Sequence, residues 1–433
     1  MELDEHRIRE LRDGPNPLVF LHGRIIDGLG ADPIDDGFII IRDGKVAALG
    51  AMNSYQRPAV DSLLEVDVAG RTLMPGLIDC HAHLVYNGFT TLDALDRCSI
   101  ETATINAVLN ARKVLRAGYT TIRDVGTVAN VAVAVRDAIV EGKVPGPRIV
   151  ASGQIIGPTG GLGDTLPPHW QRTAGGLGVL VDGVDDILKT VRRQIRGGVD
   201  NIKLAASGVE VGPYAYTWMT TMREDEVTCA VHEAHRWGRT TAVHCQSYDA
   251  VKFALRAGSD TIEHATRLDD EGLHLFTSGD SVLVPTMCTL FSVLELGESL
   301  NLKPKQREEM DVNEPLWRQS VADAYAAGVP IAAGGDLGNR YPHGTNAREI
   351  RHLVTAGLTA MDALRAATGV AARALRRETT IGALEVGRLA DVLVFDGDPL
   401  ANVDLLQDHA RIELVLKAGE LVAGQRFDAV FPT

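Results

Sequence analysis

Aromatic residues, cysteines and long apolar runs are all scarce in this chain. Of its 433 residues, 5% are aromatic and five are cysteines, and no two cysteines form a Cys-X-X-Cys pair. An odd, scattered set argues against a disulfide framework and indicates reduced thiols. No apolar stretch approaches the length of a transmembrane helix, and the charged start MELDEHRIRELRDG contains no signal-peptide core. We therefore expect a soluble cytoplasmic protein.

Basic residues are also fewer than acidic ones. Lysine and arginine number 43 against 57 aspartate and glutamate residues, which gives a formal net charge of −14 at pH 7. This balance argues against a nucleic-acid partner and against an anionic membrane surface. We expect a small-molecule substrate and a homo-oligomer. The hydrophobic content of 45% is enough for a sizeable core.

Short strand-like segments occupy both ends of the chain. Residues 18–70, 387–398 and 412–422 alternate in polarity and are bounded by glycine and aspartate, as strands of a small β-domain are. We expect one β-sandwich assembled from both termini. The predicted division is residues 1–70 and 381–433 for the β-sandwich and residues 71–380 for a central domain.

In the central part, apolar segments alternate with helical patterns. The helical pattern of residues 223–238, for example, places Val227, Ala230, Val231, Ala234 and Trp237 on one stripe. The candidate strands are 72–83, 119–126, 148–156, 200–208, 240–247, 260–266, 281–287 and 330–338. Eight apolar strands, each followed by a helix, predict a parallel (β/α)8 TIM barrel. A doubly wound open sheet is less favoured, because no GxGxxG motif follows the first strand.

Reactive side chains recur at the carboxyl ends of these strands, where barrel enzymes place their active sites. In GLIDCHAHL, His81 and His83 are two residues apart and share a strand face. The complete set is His81, His83, Lys203, His244, His264 and Asp336. Each residue alone has an ordinary explanation, such as a core histidine, a lysine that reaches solvent or a helix N-cap. Their recurrence in order favours a shared site.

The residues next to this set alternate to the other strand face. Cys80 and Cys245 are therefore expected to pack in the core instead of binding a metal, and Glu263 to pair with a neighbour.

The chemistry of the set indicates two divalent metal ions. Imidazoles and carboxylates are good zinc ligands, and cobalt and manganese suit the same donors. Lys203 is the unusual member, since an ammonium group repels a cation. A buried lysine beside two cations would lose its proton and could capture CO2 as a carbamate, whose two oxygens would bridge the metals.

The chain resembles the metal-dependent amidohydrolase superfamily, in its imidazolonepropionase-like and Xaa-Pro or Xaa-Arg dipeptidase-like branch. The resemblance spans roughly residues 20–423 and is carried by PGLIDCHAHL, GYTTIRDVG, DNIKLAASG, AVHCQS, TIEHAT, GGDLGNRYPHGTN and GRLADVLVFDGDP. It implies that His81, His83 and Asp336 hold the first metal and that His244 and His264 hold the second. It also implies that a carboxylated Lys203 bridges the two and that Asp336 acts as general base and then general acid.

Residues that contact the substrate are also predicted. Tyr214, Tyr216 and Trp218 follow Lys203 and are candidates to line a pocket, with ordinary loop packing as the alternative. His343 is expected to reach the substrate or to orient a ligand. Relatives in this branch often have Thr-Gly-Gly-His-Gly after the third strand, whereas residues 159–163 here read TGGLG. Leu162 therefore replaces an imidazole, which argues against simple transfer of dipeptidase specificity and indicates a more apolar pocket.

The resemblance implies hydrolysis of a C–N bond, in an N-acyl amino acid, a dipeptide-like compound or a xenobiotic amide of the ochratoxin type. The alternatives are hydrolysis of a phenylurea or thiocarbamate and ring opening of a cyclic amide, as in imidazolonepropionase. A catalytically inactive scaffold would require lost ligands, and none is lost.

Overall fold

The structure is a computed structural model that describes residues 3–14, 16–60, 62–88, 93–167, 169, 175–210, 212–297 and 302–431. Part of the glycine-rich loop after the third predicted strand, at residues 168 and 170–174, lies outside these ranges. The strands are β1 (Leu18–Ile25), β2 (Ile34–Arg42), β3 (Lys45–Ala51), β4 (Leu64–Asp67), β5 (Thr72–Pro75), β6 (Leu77–Ala82), β7 (Tyr119–Asp124), β8 (Arg148–Ala151), β9 (Ile155–Gly157), β10 (Gly178–Leu180), β11 (Asn201–Ala205), β12 (Thr240–Cys245), β13 (Thr261–His264), β14 (Val282–Val284), β15 (Val392–Phe395), β16 (Ile412–Lys417) and β17 (Glu420–Ala423).

The α-helices alternate with strands through the middle of the chain. They are α1 (Glu5–Arg12), α2 (Asp93–Asp96), α3 (Ile100–Arg116), α4 (Val131–Val140), α5 (Val184–Arg196), α6 (Glu224–Arg236), α7 (Tyr248–Arg256), α8 (Asp270–Ser278), α9 (Met287–Leu296), α10 (Pro304–Ala326), α11 (Arg348–Thr355), α12 (Ala360–Ala366), α13 (Gly369–Ala374) and α14 (Gln425–Val430). Among the described residues, no helix is both long enough and apolar enough to cross a membrane.

Strands from both ends of the chain share one eight-stranded sheet. Its order is β17-β16-β15-β5-β1-β2-β3, with β4 also paired to β1. The sheet is mixed, because β1 runs parallel to β4 and β5 but antiparallel to β2. Apolar side chains from both ends, including Phe20 and Leu414, bury together against it. The structure shows this shared sheet, and a β-sandwich arrangement stays a prediction.

The central strands form parallel sheets that are buried and interleaved with helices. One sheet has the order β6-β7-β8 and the other β10-β9-β11-β12-β13-β14. The expected mixed α/β fold with parallel strands is therefore confirmed. Among the described residues, isolated parallel bridges link the two sheets: Ser152 pairs with Asn201 directly, and Leu283–Ile331 and Ala82–Leu337 connect them through residues 330–338. Since these links are isolated bridges and not continuous ladders, a closed barrel stays a prediction.

The eighth predicted strand, residues 330–338, is not a regular strand. Its backbone nevertheless reaches both neighbours: Leu283 N donates to Pro330 O, and Asp336 N donates to His81 O at 2.7 Å. Gly334 allows this close approach, since a Cβ at that position would lie 2.7 Å from the Cβ of His81. The segment thus brings Asp336 to the end of β6.

The predicted helix that begins near Glu224 is present as α6. Val227, Ala230, Val231 and Ala234 are buried as its stripe predicts, but Trp237 is 54% exposed. The helix ends at Arg236, so Trp237 lies just beyond it and leaves the stripe.

Candidate metal centre

Two imidazoles lie side by side at the end of β6. His81 belongs to the strand, His83 follows it directly, and both are buried. Their Nε2 atoms lie 3.8 Å and 3.5 Å from Oδ1 of Asp336. One donor atom from each of these three residues lies within 4.8 Å of the other two. This spacing of two imidazoles and one carboxylate suits a single divalent cation.

Asp336 is held in place by both its backbone and its side chain. Asp79 accepts hydrogen bonds from the amides of His81 and Gly335, which ties the 330–338 segment to β6. The Thr289 hydroxyl donates to Oδ2 of Asp336 at 2.9 Å, so Oδ1 faces the imidazoles. Burial raises the pKa of Asp336, but its interactions with the imidazoles and Thr289 outweigh burial and hold the pKa below its usual range. Asp336 is therefore a carboxylate.

A second pair of imidazoles comes from the ends of β12 and β13. The ring centroids of His244 and His264 lie 4.5 Å apart, and the ring centroids of His264 and His81 lie 5.1 Å apart. His244 Nε2 hydrogen-bonds the Gly208 carbonyl at 2.9 Å, and His264 Nδ1 lies 2.6 Å from the Thr286 hydroxyl. Each ring therefore has one nitrogen held by the protein, an arrangement that orients the other nitrogen toward a ligand.

Burial keeps three of the four imidazoles, those of His83, His244 and His264, neutral. It lowers the pKa of His83 and of His244 to about 3, and that of His264 well below its usual value. Neutral imidazole is the form that binds metal ions.

Lys203 lies in the same cavity, on β11. Its side chain is 1% exposed, and its Nζ has no hydrogen-bond partner among the described residues. Burial lowers its pKa to about 8. A buried amine without a partner needs compensation from another group. Together with the four imidazoles and the carboxylate, it gives a donor set that fits divalent metal ions, and all six predicted residues line this one cavity.

Three residues at the centre have left-handed backbones. The φ angles of His264, Thr286 and Asp336 are 69°, 50° and 48°. Such conformations are unfavourable for residues with a Cβ, and they concentrate at functional sites.

Glu263 and Arg123 form a buried support for His81. Oε2 of Glu263 lies 2.6 Å from Nδ1 of His81, and Arg123 donates to Oε1 at 2.8 Å. Arg123 also donates to the carbonyl of Cys80 and to Thr261. Burial raises the pKa of Glu263, but the Arg123 charge and the His81 hydrogen bond outweigh it and bring the pKa far below its usual range. The carboxylate thus directs Nε2 of His81 toward Asp336.

We expect Glu263→Gln to weaken metal retention by about 10–100-fold, the usual effect of losing a carboxylate that supports a histidine ligand. Glutamine preserves the shape but removes the charge that pairs with Arg123. Metal content after timed dialysis against a chelator measures the effect. Glu233→Gln is the matched control, because it alters a buried carboxylate on α6 that pairs with Arg192 on α5. Equal retention in both variants would contradict this role.

The two cysteines beside the donor residues lie in the core. Cys80 Sγ contacts the Ala371 carbonyl and Cys245 Sγ the Ala250 carbonyl, and both side chains are fully buried. Neither lines the cavity, in agreement with the strand alternation.

The predicted substrate residues divide into two groups. Leu162 lines the cavity, whereas Tyr214, Tyr216 and Trp218 do not. The Tyr214 hydroxyl donates to the Leu166 carbonyl, the Tyr216 ring lies under the Lys305 ammonium, and Trp218 is 60% exposed.

His343 also lies outside the cavity lining. Its Nε2 lies 3.1 Å from the carbonyl of His83, and the side chain is buried. This position favours the alternative that His343 orients a ligand residue. The predictions for substrate contact did not include Glu210, Gln246 and Arg340, which do line the cavity.

A family model decides the class of the protein. The model of the amidohydrolase family matches residues 72–422, which include all six donor residues. The chain belongs to the amidohydrolase family. It is thus a hydrolase that acts on amide C–N bonds, and the resemblance inferred from its motifs is confirmed.

Individual relatives cover nearly the whole chain. An ochratoxinase from Aspergillus niger is 28% identical over 426 residues, covering 93% of this chain and 86% of that protein. A solved ochratoxinase structure from A. niger has a TM-score of 0.85 at 26% identity and covers 95% of this chain and 96% of that one. A Xaa-Pro dipeptidase structure with methionine bound in its active site has a TM-score of 0.85 at 28% identity, covering 94% and 99%.

Proposed function

We propose that this amidohydrolase is a binuclear metal enzyme that cleaves the amide bond between an acyl group and an amino acid. N-acyl amino acids, dipeptide-like compounds and xenobiotic amides such as ochratoxin fall in this range. The observation that carries the proposal is the meeting of four imidazoles, one carboxylate and one buried amine in a single cavity. Similarity to an ochratoxinase and to a Xaa-Pro dipeptidase supports the substrate range.

Each donor residue has a proposed place in the centre. His81, His83 and Asp336 would hold one metal ion, and His244 and His264 the other. A carbamate formed on Lys203 would bridge them, and its formation would give the buried amine the compensation it needs. Zinc suits these donors best, with cobalt or manganese as alternatives. When bound, divalent cations lower the pKa of water and polarise a carbonyl oxygen.

Asp336 carries the proton in the proposed reaction. Its Oδ2 takes a proton from the attacking water and returns it to the leaving nitrogen, as general base and then general acid. The Thr289 hydroxyl stays in contact with this oxygen and can both donate and accept.

Apolar side chains on the cavity wall favour an apolar substrate group. Ile155, Leu162 and Val209 line it together. Leu162 occupies the position where an imidazole is common in this branch, so we propose an aromatic or aliphatic group on the substrate near this wall.

We also propose that the parallel sheets and residues 330–338 close into a (β/α)8 barrel over residues 71–380. Residues 1–70 and 381–433 would form the β-sandwich domain. The enzyme would act on a small molecule as a cytoplasmic homo-oligomer.

A hydrolysis screen with metal-loaded protein tests the proposed function. The panel contains N-acyl amino acids, dipeptides, phenylureas and lactams, with products separated by chromatography. We expect cleavage of the first two classes, with apolar acyl groups or side chains preferred. Preferential cleavage of phenylureas or lactams would assign one of the alternative functions instead.

A further inference from the structure

A charged pair lines the cavity next to the donor residues. Arg340 follows Asp336 closely in the chain, and Glu210 follows Lys203. Nη2 of Arg340 lies 3.5 Å from Oε1 of Glu210, and the two side chains are 10% and 2% exposed. Neither residue belongs to the proposed metal centre, so the pair is available for another role.

Among the described residues, the guanidinium of Arg340 is held only by long contacts. Besides Glu210 at 3.5 Å, its Nη1 donates to the Thr289 carbonyl at 3.4 Å. Charge-assisted hydrogen bonds of this kind are normally about 2.7–2.9 Å long. Because a guanidinium has five N–H donors, Arg340 can bind a further acceptor without releasing Glu210.

Glu210 has a second partner of its own. Gln246 Nε2 donates to Oε2 of Glu210 at 3.2 Å, so this carboxylate is approached from two sides. Among the described residues that line the cavity, Lys203 and Arg340 are the only lysine or arginine side chains. Since Lys203 has a proposed role between the metal ions, Arg340 is the basic group left to meet a substrate anion.

We propose that Arg340 binds a carboxylate of the substrate and so determines specificity for N-acyl amino acids that keep a free carboxylate. The assignment rests on the proposed function and narrows its substrate class. The planar guanidinium matches a carboxylate through two parallel hydrogen bonds. Glu210 holds the guanidinium on the cavity wall, and the apolar residues Leu162 and Val209 receive the rest of the substrate.

Paired substrates test this assignment. N-benzoyl-L-phenylalanine and N-benzoyl-L-leucine are compared with the benzamides of the corresponding amines, which lack only the carboxylate, and benzoate release gives kcat/KM. We expect the wild-type enzyme to prefer the carboxylate substrates by about 30-fold, the scale of a hydrogen-bonded charge pair. Arg340→Met removes this preference mainly through KM. Arg340→Lys retains part of it, and Glu210→Gln keeps it.

Each other outcome overturns the assignment. If Arg340→Met lowers kcat/KM equally for both members of a pair, the residue is structural. If Glu210→Gln removes the preference and Arg340→Met does not, Arg340 is not the group that binds the carboxylate. A wild-type enzyme that cleaves amides without any preference contradicts the carboxylate role but not the proposed function. A wild-type enzyme that cleaves no amide in the wider screen contradicts both.

Discussion

Replacing Asp336 with asparagine is expected to lower kcat by about 10²–10⁴-fold, the range for loss of a general acid–base group. Asparagine retains an oxygen that can face the imidazoles at the position of Oδ1, but it cannot accept and return a proton near neutral pH. Metal content is therefore expected to change little while turnover falls. The measurement combines kcat for the best amide from the screen with metal per chain in the same sample.

Thr289→Val is the matched control for this variant. It removes the hydroxyl that donates to Oδ2 of Asp336 but leaves the carboxylate in place. A smaller decrease in kcat than in Asp336→Asn is expected, since the proton-carrying group remains. Full turnover in Asp336→Asn would show that another residue transfers the proton.

Replacing Lys203 with alanine is expected to lower both metal affinity and kcat/KM by more than about 100-fold. Loss of a group that only supports a metal ligand already lowers affinity or activity by up to about 100-fold, and Lys203 would be a ligand itself. Lys203 lies on β11, and the substitution removes the amine on which the carbamate would form. Intact-mass measurement under native conditions gives an independent readout. We expect the wild-type protein to carry an added mass of one CO2 and the variant to carry none.

Lys143→Ala is the control for general loss of a lysine. Its side chain is 69% exposed and pairs with Glu141 on the surface. We expect metal content and turnover to match those of the wild type. Full activity in Lys203→Ala would contradict the bridging role of Lys203, whatever the mass measurement shows.

The donor residues could be predicted because their pattern is local. Two residues on a strand face, as His81 and His83 are, project to one side by backbone geometry alone. In parallel strands the carboxyl ends lie at one edge, so Lys203, His244 and His264 were expected to meet them. The structure places these side chains and Asp336 around one cavity.

Contacts across the sheets were less accessible to sequence reasoning. Strand alternation placed Glu263 on the strand face opposite that of His264. The partners of Glu263, which are His81 and Arg123, come from strands distant in the chain. The sequence did contain a signal for this pairing, because Arg123 is a charged residue within the strand-like segment TTIRDVG. Such a residue is rarely buried without a carboxylate partner.

Loop residues were the least predictable part of the site. Tyr214 and Trp218 lie beyond β11 in a segment whose path depends on contacts with other loops, such as the Tyr214 bond to Leu166. The course of residues 330–338 was likewise set by glycine and by the left-handed backbone of Asp336, neither of which continues a strand. Arg340 follows that bend, so its position on the cavity wall could not be inferred from periodicity.

Removal and return of the metal tests the central claim most directly. The protein is stripped with a chelator, its metal content is measured, and zinc is added back in steps while hydrolysis of the best amide is followed. We expect activity to disappear with the metal and to return in full at two zinc ions per chain. A metal-free preparation with full activity would contradict a metal-dependent mechanism, and full recovery at one ion per chain would contradict a binuclear centre.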